Sequence, residues 1–206
     1  MILKLFGAAW LVPLIAATAP LPQLRIEPMA GGSIFYVKNV AAVPLTGYLV
    51  ELVDYPGSQY SLWQDDVLDP IAPGAEKRIQ VGNMTVGAVP DYVKIQAALY
   101  ADGSSAGIAE KVRQFTERRK FTLETVRETI GRLGKGGSKD AVIASLKQDA
   151  ESPLPKGGRD AQAAINRAAA NKVLADTAAR LGSHSIEETM GWLRQWEKAL
   201  EASLKS

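Results

Sequence analysis

The hydrophobic pattern changes its period near Gly107, and this change constrains the fold more than any other feature. Before that residue, short alternations of apolar and polar side chains are separated by turn signals. After it, apolar side chains recur at three- and four-residue spacing. Period 2 is typical of strands with one buried face, and period 3.6 of amphipathic helices. The sequence therefore predicts an α+β protein, with a β part over 20–106 and a helical part over 107–206.

Five strands are predicted in the β part, separated by Gly- and Pro-containing turns: 23–27, 33–39, 45–55, 77–81 and 91–100. Short alternating strands with tight turns favour an antiparallel sandwich, in which two sheets bury their inner faces against each other. The chain contains no cysteine, so no disulfide can stabilise it. We therefore expect the packed core of the sandwich to provide the stability.

Three segments of the β part carry a resemblance to a known class of domains. Val37-Lys38-Asn39-Val40 and Leu45-Thr46-Gly47-Tyr48-Leu49-Val50 resemble the second and third strands of immunoglobulin-like or fibronectin-type bacterial domains. Ile71-Ala72-Pro73-Gly74-Ala75-Glu76 is similar to the loop before a later strand there. The resemblance spans residues 22–102 and implies a sandwich without catalytic residues. The whole chain also resembles uncharacterised secreted bacterial proteins, although such sandwiches do not require the helical part.

Four helices are predicted in the second part: about 108–133, 138–150, 160–181 and 185–204. The first has an apolar stripe that Arg119 interrupts. Ser138 is a candidate N-cap, and Ser185 with Glu188 has the spacing of a capping box. Gly182 is expected to end the third helix. We expect the stripes to be buried in a small helical bundle.

Residues 1–19 read as an export signal. Lys4 supplies a positive charge, Leu5–Ala16 an apolar run, and Ala17-Thr18-Ala19 the small residues at the cut. Cleavage after Ala19 would leave Pro20 next to the cut, which is unfavourable, so cleavage after Ala17 is an alternative. An uncleaved anchor is a third reading, although about twelve apolar residues are few for a span needing roughly twenty. The sequence predicts a periplasmic or extracellular protein without a transmembrane span after signal removal.

The sequence contains few of the residues and motifs that catalytic sites use. One histidine and no cysteine exclude zinc sites built on those ligands, and no nucleotide-binding fingerprint occurs. We therefore predict no catalytic residue, cofactor site or metal site, and interpret the chain as a non-enzymatic binding or interaction protein. The alternative is a carbohydrate-active or cation-dependent hydrolase that uses the carboxylates of Asp65, Asp66 and Asp69. An ordinary acidic surface loop is the favoured interpretation of that cluster.

Two features of the helical part indicate a partner surface. Arg118 and Arg119 belong to a basic cluster that could bind a polyanion, although glutamates at three- and four-residue spacing favour a solvated, ion-paired face. Trp192 and Trp196 lie four residues apart, which is typical of helix packing or of an exposed aromatic patch. Docking of a protein partner or self-association through the helices is expected. Nucleic acid is not, because the net charge is only +2 and the chain is exported.

Overall fold

The computed structural model describes residues 19–53, 60–82, 92–155 and 161–205. Over these residues the chain has an α+β architecture, with two antiparallel sheets of three and four strands followed by four helices. Apart from Ala19, the predicted signal lies outside the described residues. None of the described helices combines the length and apolarity needed to cross a membrane.

The strands form two sheets. The three-stranded sheet has the order β1-β2-β5, from β1 (Gln23–Met29), β2 (Gly32–Lys38) and β5 (Glu76–Gly82). The four-stranded sheet has the order β4-β3-β6-β7, from β3 (Leu45–Leu52), β4 (Ser61–Asp65), β6 (Val93–Tyr100) and β7 (Ser105–Gly107). The helices are α1 (Ala109–Gly134), α2 (Lys139–Ala150), α3 (Ala161–Ser183) and α4 (Ile186–Leu204).

One buried apolar cluster contains side chains from both sheets. Phe35 and Val37 of β2 contribute to it from the three-stranded sheet, and Tyr48 and Val50 of β3 from the four-stranded sheet. All four are fully buried. In each strand the contributing residues are two apart, so they share one face of their sheet.

The other face of the four-stranded sheet is covered by α1. Leu49, Ala97 and Leu99 form a second buried cluster there with Phe115 of α1. Trp63 of β4 meets the Phe115 ring edge to face, with 5.4 Å between centroids. Both faces are thus buried along 45–50 of β3 and 97–100 of β6, so alternation between buried and exposed side chains is lost there.

Gly107 makes the turn from β7 into α1. Its φ is +108°, and a Cβ atom there would lie 2.2 Å from the Gln96 carbonyl oxygen. A side chain is therefore excluded at this position. The first turns of α1 then lie near the end of β3, where the Lys111 ammonium is 2.8 Å from the Glu51 carboxylate.

A third cluster joins the helices. The second half of α1 contributes Val126 and Leu133, and the other helices contribute Leu146, Leu181, Leu193 and Leu200, all of them nearly or fully buried. Val67, from the connection between β4 and β5, also belongs to this cluster. A single helix, α1, thus packs on the sheet with its first half and on the other helices with its second.

The helices start within one residue of their predicted positions, and the predicted caps are present. The Ser138 hydroxyl accepts a hydrogen bond from the Ala141 amide, and Ser185 and Glu188 form a capping box. The prediction that Gly182 ends α3 is wrong, because the helix continues to Ser183. Gly182 is exposed, and a glycine inside a helix costs only about 1 kcal/mol.

Two strands were not predicted. β4 has no clean alternation, since Trp63 on it packs against α1 rather than between the sheets. β7 has only three residues, too few for a periodic signal. The predicted strand 45–55 ends as β3 at Leu52, and residues 54 and 55 lie outside the described residues.

Candidate functional site

A buried ion pair joins the β part to the helical part. Asp65, the last residue of β4, accepts hydrogen bonds from Arg119 of α1, at 2.6 Å from Nη2 to Oδ1 and 3.3 Å from Nε to Oδ2. The exposed fractions of the two side chains are 1% for Arg119 and 9% for Asp65. Two roughly parallel bonds between a guanidinium and a carboxylate fix orientation as well as charge. Asp65 and Arg119 therefore position β4 against α1.

Further contacts fix the Arg119 side chain. Nη2 donates to the Thr46 carbonyl oxygen at 3.2 Å, and the guanidinium lies 5.6 Å from the centroid of the Phe115 ring. Gly47 makes room for it, since a Cβ atom there would lie 2.8 Å from both Arg119 Nη2 and Phe115 Cζ. The role of Arg119 is thus structural.

The prediction of a solvated face for Arg118 and Arg119 is wrong. Both are buried, because this part of α1 lies between the sheet and the other helices. Two of the glutamates at helical spacing pair with other, exposed cations: Glu110 with Arg113 at 2.6 Å and Glu117 with Lys120 at 2.8 Å. Ion pairs between neighbours on α1 therefore occur on its exposed surface, and neither Arg118 nor Arg119 takes part in them.

Arg118 has no comparable partner. Its side chain is only 8% exposed, and its Nη1 lies 3.9 Å from Asp65 Oδ2, a carboxylate that Arg119 already holds. Within the described ranges its guanidinium donates no hydrogen bond. Burial lowers the pKa of Arg118, the charge of Asp65 opposes this, and Arg119 adds to the lowering.

The Arg118 guanidinium lines a cavity of about 40 Å³ between β4, α1, α3 and α4. We call this cavity the Arg118 pocket. Trp63 and Trp196 form part of its wall, and Lys172 also lines it. The pocket brings together three residues that the sequence had placed in separate candidate sites, namely Asp65, Arg118 and Trp196.

The predicted acidic cluster is not one surface loop. Asp65 is in the ion pair with Arg119, while Asp66 is buried at 9% exposure and its Oδ1 lies 2.9 Å from the Lys77 ammonium. Only Asp69 is exposed. The cluster is divided because Asp65 closes β4 and Asp66 begins the turn toward β5. Asp65 and Asp66 have internal partners, so the described residues give no support to their use as a hydrolytic pair.

Tyr48 and Asp66 leave two buried polar atoms without partners. Neither the Tyr48 hydroxyl nor Asp66 Oδ2 has a hydrogen-bond partner among the described residues. Burial raises the pKa of Tyr48 well above its ordinary value, and the nearby charge of Asp66 raises it further. No sequence pattern indicates this pair, because Tyr48 reads simply as a core aromatic residue.

Within the described residues, no group of three potential metal ligands among His, Cys, Asp and Glu comes together. His184, between α3 and α4, has its Nδ1 2.9 Å from the Ser183 hydroxyl and 3.3 Å from the Arg180 carbonyl oxygen. These are contacts local to the end of α3.

The two tryptophans of α4 differ in exposure. Their ring centroids lie 5.1 Å apart, Trp196 is buried in the helical cluster, and Trp192 is half-buried. The Arg180 guanidinium lies 5.2 Å from the Trp192 ring centroid. Trp196 therefore belongs to the core, and Trp192 alone reaches the surface, beneath a cation.

An open groove of about 660 Å³ lies between α2 and α3. Its lining is mostly small or apolar: Ile143, Ala150, Ala175, Ala178, Ala179 and Gly182. Lys147 and Glu151, which also line it, are exposed, and neither makes an ion pair within the part of the chain that the structure describes. The sequence of α3 is rich in alanine, which is typical of close helix packing and does not by itself indicate an open groove.

Comparisons with protein families, with curated proteins and with solved structures found no match to this chain. Its function must therefore be argued from the geometry of the Arg118 pocket and of the α2–α3 groove.

Proposed function

We propose that the chain is an exported, non-enzymatic interaction protein that associates with a second copy of itself through the α2–α3 groove. The observation that carries this proposal is the pair of unpaired, opposite charges beside a groove of small side chains. Small residues allow two helices to approach closely, so van der Waals contact can extend over the backbone.

Charge complementarity argues for a second copy as the occupant. In a two-fold interface each patch meets its own image, so Lys147 of one chain can face Glu151 of the other, and the reverse. Two charged pairs near the groove are satisfied internally, Arg132 with Asp149 and Lys172 with Asp176, whereas Lys147 and Glu151 remain available to a second copy. The groove is thus a place where self-association would add ion pairs without breaking any.

For the two sheets we propose an immunoglobulin- or fibronectin-like sandwich. The strand order supports this proposal. If the seven described strands are lettered A to G along the chain, one sheet has the order A-B-E and the other the order D-C-F-G, so the fourth strand lies beside the third. An extra strand at the edge of the G-F-C sheet is a known variation of that architecture. The shared apolar cluster between the sheets is what such a sandwich needs.

The sandwich end that carries the 39–44 and 66–75 connections is suited to binding. The Asn39 amide holds the two connections together by donating to the Val43 carbonyl at 2.8 Å and the Ile71 carbonyl at 2.9 Å. Val40 and Leu68 are exposed there, at 39% and 42%. Loops that a rigid scaffold positions are common binding surfaces.

The proposed location, periplasmic or extracellular, depends on the signal-like residues 1–19. Cell fractionation with an antibody against the helical part tests it. Release into the soluble envelope fraction supports export with cleavage, and retention in the membrane fraction supports the uncleaved anchor.

Light scattering after size-exclusion chromatography tests self-association of the exported chain. We expect a dimer at about 100 μM, since association of modest groove area is typically micromolar. Lys147→Glu and Glu151→Lys should each produce monomers, because each places like charges opposite one another. The double exchange should restore the dimer, and Lys139→Glu, outside the groove, is the control. A monomeric parent chain, or two single variants that remain dimeric, would exclude this function.

A further inference from the structure

We propose that the Arg118 pocket is a binding site for a carboxylate group. This inference is independent of self-association, since the pocket lies between β4 and three helices while the groove lies between α2 and α3. Positive and negative charges are not balanced around this pocket.

Two guanidinium groups share one carboxylate in this interior. Arg119 takes both oxygens of Asp65 at hydrogen-bonding distance, and Arg118 reaches only to 3.9 Å of one of them. The three groups together therefore carry one net positive charge, and Arg118, 92% buried by side-chain area, has only a distant share of Asp65 and no hydrogen-bond acceptor for its guanidinium among the described residues. A buried ion is costly unless it is paired and hydrogen-bonded. An anion in the pocket would therefore give Arg118 the close counter-charge and the hydrogen bonds that Asp65 gives to Arg119.

The other polar groups of the pocket do not fill this role. The Thr122 hydroxyl donates to the Arg118 carbonyl oxygen at 2.9 Å. The Lys172 ammonium is 2.8 Å from Asp176, and its side chain is 63% exposed, so it adds positive charge at the mouth rather than in the interior. Gln64 also lines the pocket, but its Nε2 donates to Asp66 Oδ1 at 2.7 Å, so the donor left inside the pocket is the Arg118 guanidinium.

Size and shape favour a carboxylate over larger anions. A cavity of about 40 Å³ holds only a few atoms, and Trp63 and Trp196 form apolar walls on it. A guanidinium presents two parallel N–H groups, which match the two oxygens of a planar carboxylate. The aromatic walls exclude water from that pair and accept the short apolar stem that carries the carboxylate.

The experiment is a titration of the full exported chain with sodium acetate, followed by tryptophan fluorescence and by melting temperature. Sodium chloride at equal ionic strength and sodium phosphate are the comparison salts. We expect a saturable response to acetate with a Kd on the order of 1 mM, as for a ligand of four heavy atoms with one strong contact. A short peptide with one glutamate and blocked ends tests a protein side chain as the source of the carboxylate. Binding of either probe supports the proposal, and the tighter one identifies the source.

Variants of two arginines on the same helix test the assignment to Arg118. Arg118→Gln should weaken acetate binding at least tenfold, and Arg118→Lys by a smaller factor, because lysine keeps the charge but loses the fork. Arg113→Gln, which changes an exposed arginine paired with Glu110, should bind as the parent does. If Arg118→Gln does not fold, Arg118→Lys and the comparison salts still decide the matter. Equal responses to acetate and chloride, tighter binding of phosphate, or unchanged binding in both Arg118 variants would overturn the proposal.

Discussion

α1 carries two sets of ion pairs that have the same chemistry and very different surroundings. Near its middle, Arg119 pairs with Asp65 of the sheet, at exposed fractions of 1% and 9%. Two turns later, Arg127 pairs with Glu197 and Glu201 of α4, where the exposed fractions are 48%, 28% and 33%. The first pair is enclosed between sheet and helices, and the second lies along the outside of the α1–α4 contact.

The comparison shows that burial, rather than the number of contacts, decides what an ion pair does for this fold. An exposed pair competes with water and salt and contributes at most about 1 kcal/mol. A buried pair contributes little more stability than an apolar contact would. Removing one partner is nevertheless costly, because it leaves an unpaired charge in the low-dielectric interior. We therefore expect the Asp65–Arg119 pair to set the register of α1 on the sheet, and the Arg127 pairs to contribute little.

Asp65→Asn should have the largest effect, a loss of about 3–5 kcal/mol in the free energy of unfolding, because it leaves two buried guanidinium groups without a carboxylate. Urea unfolding followed by circular dichroism measures it. Asp69→Asn, which changes an exposed carboxylate of the same segment, is the matched control and should stay within about 0.5 kcal/mol of the parent. A loss below about 1 kcal/mol for Asp65→Asn would remove the distinction between the two sets of pairs.

Gly47→Ala should cost about 2 kcal/mol, since the added methyl group would press on Arg119 Nη2 and Phe115 Cζ, each 2.8 Å away. The same unfolding measurement applies. Gly131→Ala is its counterpart on the solvent side of α1, where nothing lies within 4 Å of the new Cβ atom, and it should stabilise by up to about 1 kcal/mol. Equal effects of the two changes would mean that α1 can shift freely on the sheet.

Tyr48→Phe should stabilise the protein by about 1 kcal/mol at neutral pH, because it removes a buried hydroxyl that has no partner among the described residues. It also changes the alkaline limb of the stability curve. The folded-state pKa of Tyr48 is raised, so above about pH 10 the unfolded chain binds fewer protons than the folded one and stability falls as pH rises.

Stability measured by urea unfolding between pH 8 and pH 11.5 should therefore fall less steeply for Tyr48→Phe than for the parent. Burial also raises the pKa of Tyr100, to about 12, so part of the alkaline loss should persist in the variant. An unchanged slope would show that the Tyr48 hydroxyl ionises as readily in the folded protein as in the unfolded chain, so that burial does not raise its pKa.

Arg127→Gln should have the smallest effect, a slight loss of stability that added salt abolishes, since Arg127 and its partners are exposed to screening. Unfolding in 0.05 M and 1 M sodium chloride measures this. The same series on Asp65→Asn should show little change with salt, because its partners are enclosed. A salt-insensitive loss for Arg127→Gln would mean that the two sets of pairs behave alike.

Local patterns were enough to predict the helices and their caps. The capping box at Ser185 and Glu188 and the N-cap at Ser138 depend on neighbours three residues away, which the sequence displays directly. Strand β4 was not predicted, because its Trp63 packs against Phe115 of α1, which lies 52 residues further along the chain. Contacts at such separation leave no periodic signal within the strand.

The burial of Arg118 and Arg119 could not be predicted from helix spacing alone. Glutamates at helical spacing from the other cations of α1 made the whole basic cluster resemble a solvated face, although none lies three or four residues from Arg118 or Arg119. A signal was nevertheless present, since Arg119 lies within the apolar stripe that contains Phe115 and Leu123. A charge in the register of a buried stripe requires a distant partner of opposite sign. Choosing Asp65 among the acidic residues of the β part needed the tertiary structure.

The apolar cluster on the outer face of the four-stranded sheet has a consequence for dissecting the protein. A chain that ended at Gly107 would keep all seven described strands but would expose Leu49, Ala97 and Leu99 together with Trp63. Such a fragment would have a large exposed apolar patch, and we expect it to aggregate. α1 is in effect the third layer of the β part, so this sheet pair cannot be transplanted as a self-sufficient module without the helix that follows it.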